Sequence, residues 1–194
     1  MSLFLRTTDA YGRAYGKFQW PLEVGAVVTA PDWNPNPVCG GGLHGLLNGL
    51  GESSHLSFAG DAIWWIVEAD DAVDIGGKHK FRACRVVAFG PRHEITAALY
   101  AMVPGPIHGL TLTGGYGATL TGGYGAALTG GDRATLTGGD YATLTGGDGA
   151  TLIFLRWING ARRVLTAYVG EDGVKSGVAY RANDKHTAIV EAAE

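Results

Sequence analysis

The sequence predicts a mainly β protein in two parts: an α+β globular domain over residues 1–103, then a short β-solenoid over 104–152 closed by a C-terminal β-hairpin cap at 153–194. Three observations carry that expectation. An eight-residue repeat starts at Thr111; the preceding hundred residues hold strand-like segments that end on one amphipathic helical stretch; and the repeat runs out into a continuous apolar segment followed by Asn159-Gly160. Glycine is the marked deviation in composition, with 32 of 194 residues, and much of the excess lies in the repeat.

Taken in chain order, residues 2–7 read as a strand and 24–30 as a second. Residues 62–68, AIWWIVE, form a third that is apolar enough to be covered on both faces, and 82–89 a fourth. Residues 93–102 have helical spacing, with Ile95, Leu99 and Met102 on one face and Pro91 at the opening. Trp20, Trp33, Trp64 and Trp65 are expected in the core and its cover rather than as a ligand platform.

The chemically suggestive segment of this domain is 39–44, where Cys39 and His44 flank Gly40, Gly41 and Gly42. A thiolate needs a neighbouring base or cation, and a Gly-rich loop leading into Leu46, Leu47 and Leu50 offers backbone amides to an anion, so Cys39 and His44 are the candidate catalytic or ligand-binding pair. A structural turn is the alternative for the same residues. A zinc site drawn from Cys39, His44, His55, His79 and Cys84 is not expected, because C-x4-H and H-x4-C lack the paired short spacers of structural zinc motifs. Glu68, Asp70, Asp71 and Asp74 read as a solvated turn rather than a cation site. No metal and no cofactor is expected, and the two cysteines are expected to be free thiols.

From Thr111 the chain reads TLTGGYGA, TLTGGYGA, ALTGGDRA, TLTGGDYA and TLTGGDGA, and a sixth copy begins at Thr151. Two adjacent glycines in every eight residues exclude a helix. The Thr-Leu-Thr triplet alternates polar, apolar and polar, the pattern of a strand with leucine inside, and the Gly-Gly pair is expected to supply the positive φ of a corner. Because eight residues cannot circle a core, two octads should make one sixteen-residue coil. Leu112, Leu128 and Leu144 then form one internal ladder facing Leu120, Leu136 and Leu152, with one small alanine per octad letting the two sheets approach.

The stack needs covers at both ends, since open strand edges invite aggregation. Upstream, the N-terminal domain is expected to cover the first coil through Pro104, Pro106 and Ile107; downstream, the strand 152–157, the turn Asn159-Gly160 and a second strand at 163–169 should close the last one.

The segment GGYGATLTGG resembles the Gly-Tyr-Gly-Ser-Thr-x-Thr-Ala-Gly repeats of bacterial ice-nucleation proteins, and residues 150–192 resemble that family's C-terminal cap in the order of TLIF, an aromatic-turn-basic hairpin, a Gly-Glu-Asp-Gly turn and a late tyrosine. The resemblance covers about 80 residues. It implies that outward threonines order water into an ice-like layer and that lateral contacts assemble solenoids into a fibre. On one face the rows are Thr111 with Thr113, Ala127 with Thr129, and Thr143 with Thr145; on the other they are Thr119 with Thr121, Thr135 with Thr137, and Thr151 with Ile153. Arg133 matches the arginine-bearing coils that the family links to assembly, its alternative being a solvated turn residue beside Asp132 or Asp140. Tyr116 and Tyr124 stand where the family carries a tyrosine ladder, here interrupted by Asp132, Asp140 and Asp148. Residues 1–103 are similar instead to an uncharacterised domain of actinobacterial and phage proteins, through FQWP, APDWNPNPVCGGGLHG and DIGGKHKF, and no activity comes with that likeness.

The function expected is therefore non-enzymatic: an ice-nucleation-like solenoid whose threonine faces order water, bind ice or mediate self-assembly, too short to nucleate ice efficiently as a monomer. The alternative is an enzyme or ligand-binding domain using Cys39 and His44, with the solenoid as a rigid spacer or oligomerisation tail. The expected partners are water, an ice surface or a second copy. Fifteen Lys and Arg are scattered, at a net charge of -3, which argues against nucleic acid. No run of about 20 apolar residues and no secretory signal is read, so the protein is expected to be cytoplasmic and away from membranes.

Overall fold

The structure, a computed structural model, describes residues 1–14 and 17–192 and is mainly β, with two compact units at Met1–Pro104 and Gly105–Glu194. The first unit holds seven strands, β1 (Ser2–Thr8), β2 (Val27–Thr29), β3 (Leu43–Leu47), β4 (Ile63–Ala69), β5 (Val73–Asp74), β6 (His79–Phe81) and β7 (Ala83–Gly90), and one helix, α1 (Arg92–Met102). The strands form an antiparallel sheet in the order β2-β7-β4-β1-β3-β6-β5. β4 lies inside the sheet, between β7 and β1, as the apolar run IWWIV on both of its faces requires. Trp65 and Val67 join Phe4, Trp20, Phe81 and Val86 in one buried cluster, and α1 packs against β4 and β7, burying Ile95 and Leu99.

Several local expectations change. Met102, read as part of the apolar helix face, is half exposed at the end of α1, and Thr96 is buried instead, its hydroxyl donating to the carbonyl of Arg92. The strand expected at 24–30 shortens to three residues. The apolar stretch after the three glycines, given no element in the sequence, is strand β3, and β5 and β6 are further short strands. Gly45 marks the reason: a Cβ there would stand 2.8 Å from the Cβ of Phe4, so glycine lets β3 close on β1. Trp20, Trp64 and Trp65 are buried as expected, and Trp33 packs against the same cluster.

In the second unit, the octads are strands β8 (Thr111–Gly114), β9 (Thr119–Thr121), β10 (Ala127–Gly130), β11 (Thr135–Gly138), β12 (Thr143–Thr145) and β13 (Thr151–Ile158). They alternate between two sheets. β8, β10 and β12 pair in parallel with Leu112, Leu128 and Leu144 in register, and β9, β11 and β13 do the same through Leu120, Leu136 and Leu152. One circuit therefore takes sixteen residues. Five of those leucines are buried, while Leu112 on the outermost strand is half-buried.

The glycine pair has a different task from the one expected. Neither of its residues has positive φ; that conformation falls on the seventh residue of each octad, Gly117, Gly125, Arg133, Tyr141 and Gly149. The first glycine of the pair answers to space, since a Cβ on Gly114, Gly122, Gly130, Gly138 or Gly146 would approach the Cβ of the alanine four residues on to 2.4–2.7 Å. The second meets the corner of the preceding coil: a Cβ on Gly131 or Gly139 would stand 2.9 Å from the carbonyl carbon of Gly115 or Gly123. The pair is a packing requirement along and across the stack.

Residues of this unit itself meet the stack at each end, at one corner of the first coil and along both strands of the last. The segment 107–110 stands in for a preceding corner: Gly123 donates its N–H to the carbonyl of Ile107, Gly109 to that of Tyr124, and the N–H of Tyr124 to Nδ1 of His108. Ile107 and Leu110 are wholly buried. At the other end, Asn159 and Gly160, with φ of 52° and 73°, turn β13 into β14 (Ala161–Tyr168) as a two-residue hairpin. The single-hairpin cap is incomplete as an expectation, because β15 (Ala179–Ala182) pairs antiparallel with β12 and carries β16 (Ile189–Glu191) beside it. Each sheet thus receives its own antiparallel cover. Among the described residues no helix is long and apolar enough to cross a membrane.

Candidate functional site

Two surfaces carry the residues singled out from the sequence, one in each unit. In the second unit the threonines stack in register: Thr111, Ala127 and Thr143 align, as do Thr113, Thr129 and Thr145; on the other sheet Thr119, Thr135 and Thr151 align, as do Thr121, Thr137 and Ile153. Thr111, Thr113, Thr119, Thr121 and Thr129 are exposed, and Thr135, Thr137, Thr143 and Thr145 half-buried. Parallel pairing repeats each hydroxyl and methyl at about 4.8 Å along the stack, and alternate residues of one strand lie about 6.8 Å apart. Thr166 was not singled out in the sequence. It pairs with Ile153 from β14 and extends that row by one exposed threonine. Only the antiparallel register reveals it, because β14 has no repeat to announce it.

The corner residues are engaged within the unit. The Arg133 guanidinium lies 5.7 Å from the ring centre of Tyr116, one coil earlier, so it covers that ring rather than standing free beside Asp132 or Asp140. Tyr116 itself remains 71% exposed. Tyr124 is packed between Tyr141, at 5.3 Å, and His108, at 6.4 Å between ring centres, which leaves Tyr141 as the more open ring of that side. Asp132 accepts the N–H of Asp148 through Oδ1, the same service that His108 performs for Tyr124. Asp140 faces Arg156 at 3.7 Å, and burial pushes its carboxyl upward.

In the first unit a cleft of about 890 Å³ is lined by Arg6, Trp20, Asp32, Cys39, His44 and Lys78, among others. β1 and β3 pair through Phe4 with Leu47 and Leu5 with Leu46, and the Asn48 N–H donates to the carbonyl of Leu3. Beyond that point Arg6 Nη1 donates to the carbonyl of His44 at 3.3 Å, and its guanidinium lies 3.7 Å from the ring centre of Trp20. Burial lowers the Arg6 pKa to about 9, so the group remains charged at neutral pH. The His44 imidazole is pulled down to about 4, first by burial and then by Lys78, Arg6 and Lys80, so it is neutral there.

The glycine loop between Cys39 and His44 is held by its surroundings. Lys80, wholly buried and opposite His44 in the β3–β6 pairing, donates through Nζ to the carbonyls of Val38 and Gly40 at 2.9 and 3.0 Å. Asp32 Oδ1 accepts the Gly42 N–H at 3.1 Å. Both cysteines are free, Cys39 exposed and Cys84 buried, with burial pushing the Cys84 thiol up to about 12. Cys39 and His44 line the same cleft, but no hydrogen bond joins them among the described residues. Cys39, His44, His55, His79 and Cys84 do not gather as a metal cluster, nor do Glu68, Asp70, Asp71 and Asp74; Glu68 pairs with Arg85, and Asp70 with the N-terminal ammonium.

Arg6 and Lys80 were not legible as site residues. The register offers a signal in hindsight, since Arg6 sits between Phe4 and Thr8 on the side of β1 that faces Trp65, where a charge is out of place without a partner. A family model described as a domain of unknown function (DUF7666) matches residues 4–98, a little under half the chain. No curated protein and no solved structure matches the chain.

Proposed function

We propose that the protein works through its threonine faces, without chemistry, as an ice-nucleation-like surface that orders water or contacts ice when copies are assembled. The observation that carries this reading is threonine over threonine in register across parallel strands on both sheets. Parallel strands keep one spacing throughout, so the hydroxyls and methyls form a lattice rather than scattered polar points. Within the octads each row crosses three strands, a span of about 10 Å, which is too small to hold an ice embryo alone even where Thr166 adds a fourth. Assembly of copies is therefore part of the proposal.

Droplet freezing and ice-crystal shaping, run beside particle sizing, test it. The protein should shape ice or raise the freezing temperature more strongly as larger particles form, and Thr121→Lys with Thr137→Lys should abolish the effect while circular dichroism stays unchanged. Wild-type protein that behaves as buffer does at every concentration and particle size would refute the proposal.

A further inference from the structure

We propose that the cleft of the first unit binds a small organic oxyanion, a carboxylate or phosphate on a partly apolar body, held by the unused donors of Arg6 with His44 Nε2 as a second polar contact. The Nε of Arg6 is buried with no hydrogen-bond partner, its one hydrogen bond runs from Nη1 to a neutral carbonyl, and no carboxylate pairs with it among the described residues. A guanidinium presents five N–H donors in a fork shaped to an oxyanion, so most of its capacity is idle.

The neighbours do not neutralise it. Cys84 stays a thiol because burial pushes its pKa to about 12, and the Trp20 face steadies the cation without taking its hydrogen-bond donors. His44 Nε2 is likewise buried and unpartnered on a residue that lines the same cleft. Lys78 at the lining and Lys80 behind it add positive charge, and among the described lining residues Asp32 is the one carboxylate, itself occupied with the Gly42 N–H. Of the other polar residues at the lining, Thr7 accepts the Ser57 N–H while Ser54 and His55 face Glu52; the apolar part, including Phe18, Leu43 and Leu56, forms a wall, and the volume of about 890 Å³ admits a molecule larger than a bare ion. A positive, unpaired centre beside an apolar wall selects an anionic group on a hydrophobic body.

The test uses the full chain labelled with nitrogen-15, titrated with benzoate, with phenyl phosphate and with chloride as control. The Arg6 Nε–H and His44 side-chain signals should shift saturably with one of the two organic anions, half-saturating at or below millimolar concentration, and not with chloride. Whichever anion saturates first identifies the oxyanion. Arg6→Lys should weaken binding at least tenfold although charge is kept, and His44→Gln several-fold, which decides the matter if the Arg6 variant fails to fold. Absence of saturable shifts with both organic anions, an equal response to chloride, or undiminished binding by the folded variants would overturn the proposal.

Discussion

At Gly122 an added Cβ would stand 2.4 Å from the Cβ of Ala126 inside the stack, whereas at Gly117, with φ of 64°, it would meet nothing within 4 Å. The two glycines are therefore needed for different reasons, one for volume and one for backbone conformation. Gly122→Ala should cost about 2–3 kcal/mol through overpacking, and Gly117→Ala about 1 kcal/mol through left-handed strain, as read by urea unfolding. Equal costs would contradict this division. His44 gives a second residue-scale expectation. Its pKa falls from 6.5 to about 4 on folding, so between those values the unfolded chain binds the proton and the folded one does not. Stability is full above pH 6.5 and declines as pH falls through this window. The ring is half-buried, and solvent screening reduces the linkage to about 1–2 kcal/mol. His44→Gln should flatten that segment of the stability profile, measured by chemical unfolding from pH 7 to 4.

At the scale of elements, the alternation of octads between two sheets makes length a matter of parity. Successive octads face opposite ways, and the covers are specific: β15 pairs with β12 in one sheet and β14 with β13 in the other. Duplicating residues 127–142 inserts one whole circuit, restores every pairing downstream and lengthens each threonine face by one row. Duplicating 135–142 alone inserts half a circuit and sends each covering strand to the wrong sheet. The first variant should keep or raise the unfolding temperature and strengthen any ice response, while the second should unfold at lower temperature. Calorimetry on the two decides it, and equal behaviour would contradict the sixteen-residue register.

At the scale of the molecule, the two units hold different kinds of surface: rows of neutral hydroxyls in one, and an unpaired buried cation in a cleft in the other. Their effects should separate. Thr121→Lys with Thr137→Lys should remove ice shaping and leave benzoate or phenyl phosphate binding unchanged, and Arg6→Lys should do the reverse. Loss of both properties from either change would show that one surface depends on the other.

The repeat was legible because its constraint is local and recurrent: a leucine inside at every eighth position, with octads too short to circle a core, points to paired octads, and Leu112, Leu128 and Leu144 stand in register accordingly. The apolar run of β4 and the Asn159-Gly160 turn were legible for the same reason, since burial on both faces and positive φ leave direct marks on composition. The cleft left no such mark. Arg6, His44 and Lys80 are brought together by pairings between segments about 40 residues apart, and a charge reveals itself as unpaired only once its neighbours are known. The role of the glycine pair was likewise decided in three dimensions, because the atoms that exclude its side chains belong to the corner alanine and leucine that the turn folds back onto it and to the coil before. By itself the sequence determined the period, the strands of the repeat and the hydroxyl-bearing faces, which depend on neighbours along the chain; tertiary structure decided the short strands β3, β5, β6, β15 and β16 and which polar groups were left without partners, which depend on contacts across it.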